Sequence, residues 1–332
     1  MESANETPVV QEFRLKEVDA IEIISLVDNS VDFLSTVNKR RAQSFRQWTR
    51  ERYGQEWIRT HPQLPSAEHG FSMLIRVFSD GNTKSVLFDT GISSDGLVEN
   101  AEHMGISLSE VESIVISHGH YDHFGGLRSA VKAVNKADLP IIVHENMFKT
   151  RGSANLKGAV RKYPEFPTTA ELSSAKLVST KQPSLTADDL VCVTGEIPRK
   201  TSFETGYTQH KAFVRGTWKS DPWILDERAV TINIKGNGLV VLSGCAHAGI
   251  INTVIYAQQI TGTKKVYAVM GGFHLAGKTF ENRIQPTIEE LQRINPELIV
   301  PSHCTGWKAM CALAKAFPKA FLWNSVGNLY QF

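Results

Sequence analysis

The sequence predicts an α/β fold, on three observations. Short apolar runs alternate with helix-period patterns along the chain, two pairs of runs are joined by hairpin-type turns, and a cluster of histidines stands between one run and the next helical pattern. Strands are expected over 20–27, which ends at Asp28-Asn29, and over 71–78 and 84–89, joined by Ser79-Asp80-Gly81-Asn82. Further strands fit Ile114–Ser117, Pro140–His144, Ala229–Ile234, Leu239–Ser243, Val266–Met270 and Leu298–Pro301. Gly236-Asn237-Gly238 supplies a hairpin turn between the third and fourth of these. Helical spacing fits 96–104, 125–136, 250–261, 285–294 and 307–316, with Pro286 tolerated in a first turn.

Two segments break the rhythm of what otherwise reads as one domain over 1–332. Residues 30–66 form a helical insert. Its stretch 37–52 carries Lys39, Arg40, Arg41, Arg46, Arg50 and Arg52 against the single acid Glu51, with Phe45 and Trp48 on one helical face. It reads as an amphipathic surface helix or, alternatively, as an arm offering cations and aromatic walls to an anionic ligand. Residues 149–190, rich in Lys, Ser, Thr and Pro, read as a loop-dominated insert.

Composition bounds the function. Of 332 residues, 42% are hydrophobic and 21% charged, enough apolar material for a large core. Lys+Arg 36 against Asp+Glu 34 leaves a formal charge of +2, which argues against nucleic acid as partner and favours a small-molecule substrate. No apolar run is long enough to span a bilayer, the first residues lack a secretory signal pattern, and four cysteines make no disulfide framework. The expectation is a cytoplasmic protein off the membrane, with homo-oligomerisation left open.

The chemistry is concentrated in Ser117-His118-Gly119-His120-Tyr121-Asp122-His123, followed by Phe124-Gly125-Gly126. Imidazole nitrogen and carboxylate oxygen suit Zn²⁺ and similar divalent ions. A loop at a strand end can aim His118 and His120 at one point, and Asp122 and His123 at a second.

The pattern His-x-His-x-Asp-His-x-Gly-Gly resembles the signature of the metallo-beta-lactamase superfamily. Phe88-Asp89-Thr90-Gly91 resembles the strand-end segment that precedes it there, and Val300-Pro301-Ser302-His303-Cys304-Thr305-Gly306 resembles the last metal-histidine segment. The resemblance covers roughly 20–332 apart from the inserts. It implies a four-layer αββα sandwich with a metal site at one sheet edge. The middle motifs depart from the common pattern: Glu196 stands where a histidine is expected, and Cys245, in Gly244-Cys245-Ala246-His247, where an aspartate is expected. With Gly271-Gly272-Phe273-His274-Leu275, these segments look like one branch of the superfamily, typified by the 7,8-dihydropterin-6-methyl-4-(beta-D-ribofuranosyl)aminobenzene-5'-phosphate synthase, most of whose members are called only metal-dependent hydrolases.

The expected metal ligands are therefore His118, His120, Asp122, His123, His247 and His303, holding one or two divalent ions, zinc first and manganese or iron as alternatives. His247 has a rival reading as a helix-capping residue. His274 is expected as an acid facing substrate, against a purely structural role. Glu196, Cys245 and Asp89 are candidates for ligation or for support, Asp89 by orienting a ligand histidine. Asp28, Asn29 and Arg199 are expected to touch substrate, and His69 and His144 to line the mouth; His61, His103 and His210 are read as surface residues.

The leading function is hydrolysis of an ester, lactone or phosphate-type small molecule by a metal-activated hydroxide, with Asp122 and His274 as catalytic groups. One alternative is a transferase on a phosphorylated pterin-like or aromatic substrate. The other is a non-catalytic ligand-binding protein on the same scaffold.

Overall fold

The computed structural model describes residues 13–35, 37, 41–172 and 174–332. Lys39 and Arg40 of the basic stretch lie outside the described residues. Two large sheets face each other. The first has eight strands in the order Ala175–Ser179, Leu139–Val143, Ser113–Val115, Asn82–Phe88, Ser72–Ser79, Ala20–Val27, Leu329–Gln331 and Ala42–Gln43. The second runs Ser184–Thr186, Val191–Val193, Ala229–Ile234, Gly238–Ser243, Val266–Gly272 and Leu298–Ser302, with Glu17–Val18 pairing beside Ala229–Ile234.

Strand alternation builds the layers. Ile21, Ile23, Met73, Ile75, Val86 and Phe88 point from the first sheet into a core shared with Val230, Ile232, Val240, Leu242, Ala268 and Met270 of the second. Their neighbours in sequence, such as Ile24, Leu26, Leu74 and Leu87, point outward and pack under the helices Phe45–Thr60, Gly96–His103 and Leu127–Val134. On the far side Leu239, Val241 and Val269 pack under Ile250–Thr261, Ile284–Ile294 and Trp307–Ala316. The result is helix, sheet, sheet, helix: the αββα sandwich. Each buried aliphatic side chain in these layers contributes roughly 1.5–3 kcal/mol. Both expected hairpins form, Ser72–Ser79 with Asn82–Phe88 through Asp80 and Gly81 at φ 50° and 75°, and Ala229–Ile234 with Gly238–Ser243. Among the described residues, no helix is long and apolar enough to cross a membrane.

The 30–66 segment carries the expected helix, Phe45–Thr60, while the other irregular segment differs from expectation. The 149–190 stretch is strand-bearing: Arg151–Ala154 and Val160–Lys162 pair with each other, and Ala175–Ser179 and Ser184–Thr186 form the outer edges of the two large sheets. Arg151–Ala154 also pairs with His210–Val214, which pairs with Thr217–Ser220, making a third, four-stranded sheet. Short edge strands with one wet face carry no continuous apolar run, so composition alone reads them as loop. The described part of the basic stretch packs as an amphipathic helix on the outer side of the first sheet. Phe45 and Trp48 are buried, Trp48 Nε1 donates to the Gly327 carbonyl, Arg52 pairs with Glu22, Arg41 bonds the Tyr267 hydroxyl, and the helix kinks at Gly54, φ 82°.

Candidate metal centre

The strands that precede the chemistry all end at one edge. Ser113–Val115 runs parallel to Asn82–Phe88, and Gly238–Ser243, Val266–Gly272 and Leu298–Ser302 are mutually parallel. Just beyond their C-terminal ends come Asp89, the His118–His123 loop, Cys245 with His247, His274, and His303. Ligand sites in open α/β sheets gather at such strand ends. The turns are tight. Asp89, Ala246, His274 and His303 adopt left-handed backbone at φ 60°, 58°, 47° and 48°, a conformation costing non-glycine residues about 1–2 kcal/mol. Gly119, between two histidines, leaves no room for a side chain: a Cβ would lie 2.7 Å from Arg151 Nη1 and 2.9 Å from the Met147 backbone.

Two donor sets result. His118, His120 and His247 bring ring nitrogens together, with His118 Nε2 3.0 Å from His120 Nδ1 and 3.2 Å from His247 Nε2. Asp122, His123 and His303 form the second set, with Asp122 Oδ2 3.4 Å from His303 Nε2 and 3.8 Å from His123 Nε2. Cys245 Sγ lies between them, 3.2 Å from His123 Nε2 and grouped with His118 and His123. His274 and Cys304 also reach this sulfur. A cleft of about 220 Å³ opens onto both sets and is lined further by His69, Tyr121, Arg161, Tyr163 and His210.

The second layer is made of carboxylates and an amide. Asp89 Oδ2 is 2.7 Å from His123 Nδ1, and Asp89 also accepts from the Ser117 N–H and hydroxyl. Asn29 Oδ1 is 2.9 Å from His303 Nδ1, and Asp28 accepts from the His303 N–H while Asn324 donates to its other oxygen. Such partners fix which ring nitrogen faces inward. Asp226 accepts from the Gly119 N–H at 2.8 Å and is gripped by both terminal nitrogens of Arg151, whose Nε reaches Asp221 at 3.1 Å. One carboxylate thus ties the histidine loop to the third sheet.

Electrostatics follow from burial. Burial and neighbouring imidazoles hold His118 and His247 well below the usual histidine range, and burial, backed by the Arg151 cation, pushes His120 down to about 3. Burial would raise Asp122, but the rings of His123, His303 and His120 outweigh it and hold it below the usual carboxylate range. Burial would lower His303, but Asp122 raises it to about 9. Burial pushes the Cys245 thiol up.

The residues fit divalent ions. His118 Nε2 faces His120 Nδ1 and His247 Nε2 at 3.0 and 3.2 Å, and the lone pairs that neutral imidazoles bring together there are what a cation satisfies. Nitrogen, carboxylate and thiol donors at one place suit zinc-type ions.

Not every expected residue joins the cleft. Glu196 Oε1 is 2.8 Å from His144 Nε2, so the two satisfy each other and neither lines the cleft; no converging donor group among the described residues includes Glu196. Arg199 is turned away onto the Trp223 ring and bonds the carbonyls of Trp223 and Ile224, leaving it no contact with the cleft. Asp28 and Asn29 hold His303 rather than line the cleft. His69 does line it, 3.5 Å from Asp122 Oδ2. His210, read as a surface residue, is buried beside His120 with ring centroids 5.1 Å apart. Nothing local in the sequence marks it. Asp226 carried a signal that went unused: Asp226-Glu227-Arg228, three charges before an apolar strand, are all buried.

This fold and donor set define a member of the metallo-beta-lactamase superfamily, to which the chain belongs. A sequence model described as Metallo-beta-lactamase superfamily matches residues 66–201. The chain is 32% identical over 278 residues to the 7,8-dihydropterin-6-methyl-4-(beta-D-ribofuranosyl)-aminobenzene-5'-phosphate synthase of Methanocaldococcus jannaschii, covering 80% of this chain and 90% of that protein. It is 30% identical over 264 residues to the uncharacterized protein MJ0448 of the same organism, covering 79% of this chain and 93% of that one. In three dimensions it is similar to Tm1679, titled a metal-dependent hydrolase of the beta-lactamase superfamily, with TM-score 0.69, 23% identity, and coverage of 94% and 98% of the two chains.

Proposed function

We propose that the cleft hydrolyses an ester, lactone or phosphate-type small molecule with one or two divalent ions, zinc first. The observation that carries this reading is the meeting of two buried donor triads, with the Cys245 sulfur between them, at one solvent-reached cleft. His118, His120 and His247 would hold one ion, and Asp122, His123 and His303 the other, with Cys245 between. Bound there, such ions polarise a substrate oxygen and acidify a water toward neutral pH. Asp122, an ionised carboxylate at the cleft wall, would orient the attacking water by accepting a hydrogen bond from it. His274 lines the same cleft, where its ring would give a proton to the departing group. Asp89, Asn29 and Asp28 keep the ligand rings from turning.

A transferase on a phosphorylated aromatic substrate is the second reading, favoured by the printed name of the 32%-identical relative. The test is to purify the protein, measure its metal content by plasma mass spectrometry, and assay it stripped and zinc-restored. The substrates are p-nitrophenyl acetate, a γ-lactone, bis(p-nitrophenyl) phosphate, and a pterin pyrophosphate with an arylamine. Metal-dependent release of acid or alcohol supports hydrolysis, a product containing both last reactants supports transfer, and undiminished turnover by metal-free protein refutes both.

A further inference from the structure

The third sheet brings a cation to the cleft that nothing above uses. Arg161 sits on Val160–Lys162, exposed, on the lip of the cleft. Its guanidinium Cζ is 5.3 Å from the centroid of the Tyr163 ring. The Tyr121 and Tyr163 phenols are its polar neighbours, and their rings are 5.7 Å apart. Tyr163 in turn meets the edge of His120 with centroids 5.6 Å apart, so this group stands one ring away from the donor atoms. Among the described residues, no carboxylate pairs with Arg161, in contrast to Arg151, gripped by Asp226 and Asp221, and Arg128, paired with Glu171.

We propose that Arg161, with the hydroxyls of Tyr121 and Tyr163, binds a phosphate monoester carried by the substrate as a handle, beside the metal centre and not on it. A guanidinium fork plus two phenol O–H donors offers donors from several directions, which matches the three terminal oxygens of a tetrahedral phosphate better than a flat carboxylate. The lip is held in place from beneath. Arg151, on the partner strand of the same hairpin, is buried against Asp226, which also holds Gly119. The hairpin turn is fixed by Asn155 Oδ1, which accepts from the N–H groups of Lys157 and Ala159. The reacting bond of a substrate so held would face the donor triads, while its phosphate stayed on the lip. This deepens the proposed function and rests on it for what happens at the triads, but the handle itself is read by binding alone.

The test is calorimetric titration of the full chain, zinc-loaded and chelator-stripped, with phenyl phosphate, benzoate and inorganic phosphate. Wild-type protein is expected to bind phenyl phosphate in both forms and more tightly than benzoate. Arg161→Gln is expected to weaken that binding about tenfold or more, with Arg161→Lys intermediate. Lys162→Gln, a neighbour paired with Glu165, should leave it unchanged. Three results overturn the handle: no binding of phenyl phosphate by wild type, equal binding by Arg161→Gln, or binding that vanishes on stripping and ignores residue 161, which would put the phosphate on the metals. Failure of the functional reading shows separately, as absence of metal-dependent turnover with any substrate class.

Discussion

The His118–His123 loop and the third sheet face the same cleft but are built by opposite means. The loop packs four donors into six positions between an apolar strand and a glycine pair, so its chemistry is local in sequence. The third sheet assembles Arg151, Arg161, Tyr163 and His210 from two separate hairpins and has few buried side chains of its own. The loop is anchored by carboxylates within its own layer, the third sheet chiefly by the Arg151–Asp226 pair. The candidate metal donors are thus set by spacing in sequence, and the rest of the cleft wall by long-range contacts.

The sharpest way to break this contrast is His120→Ala. It should reduce bound metal and drop metal-dependent turnover to the uncatalysed background while circular dichroism stays that of the folded chain; undiminished metal and turnover would remove His120 from the centre. Next is Asp226→Ala, which strips a buried guanidinium of the carboxylate on its two terminal nitrogens and leaves it Asp221 alone. It is expected to cost about 3–5 kcal/mol in urea unfolding, and the apolar pair Asp226→Leu with Arg151→Met should recover most of that loss. A loss under about 1 kcal/mol would mean the two regions are not coupled through this carboxylate. Asp89→Asn should weaken metal affinity roughly 10–100-fold in a chelator competition, because His123 loses the partner that aims its ring. Affinity equal to wild type would show that the ring is held by packing alone. The smallest effect is Ala246→Gly. Relief of the left-handed backbone, offset by a freer unfolded chain, should raise stability by about 0.5–1 kcal/mol with metal binding retained; a lower melting temperature would contradict the strain reading.

The same contrast explains what could be read beforehand. The interior strands were legible because Leu239–Leu242 is an unbroken apolar run, while Val230, Ile232 and Ile234 alternate with the small polar Thr231 and Asn233. His118, His120, Asp122 and His123 were legible because ligand spacing is itself a signal, and Cys245, His247, His274 and His303 because each follows an apolar run. Glu196 and Arg199 were misplaced since sequence order gives no direction to a side chain; each found a nearer partner, His144 and the Trp223 carbonyl. His210 was misread because its polar segment folds back over the cleft only through pairing with Arg151–Ala154, some sixty residues earlier. Strands of three or four residues such as Val160–Lys162 carry too little pattern to be seen.

Leu329–Gln331 lies inside the first sheet, with Ala20–Val27 on one side and Ala42–Gln43 on the other, and nearby Asn324 reaches Ser25 across 299 positions of chain. The 118–123 loop precedes this strand by about two hundred positions, and Ala20–Val27, whose end carries the Asp28 and Asn29 that hold His303, lacks one sheet neighbour until the strand arrives. Closing so large a loop is an entropic hurdle met late. The early loop and the late His303 should therefore be brought to their final positions only once Leu329–Gln331 has paired between Ala20–Val27 and Ala42–Gln43.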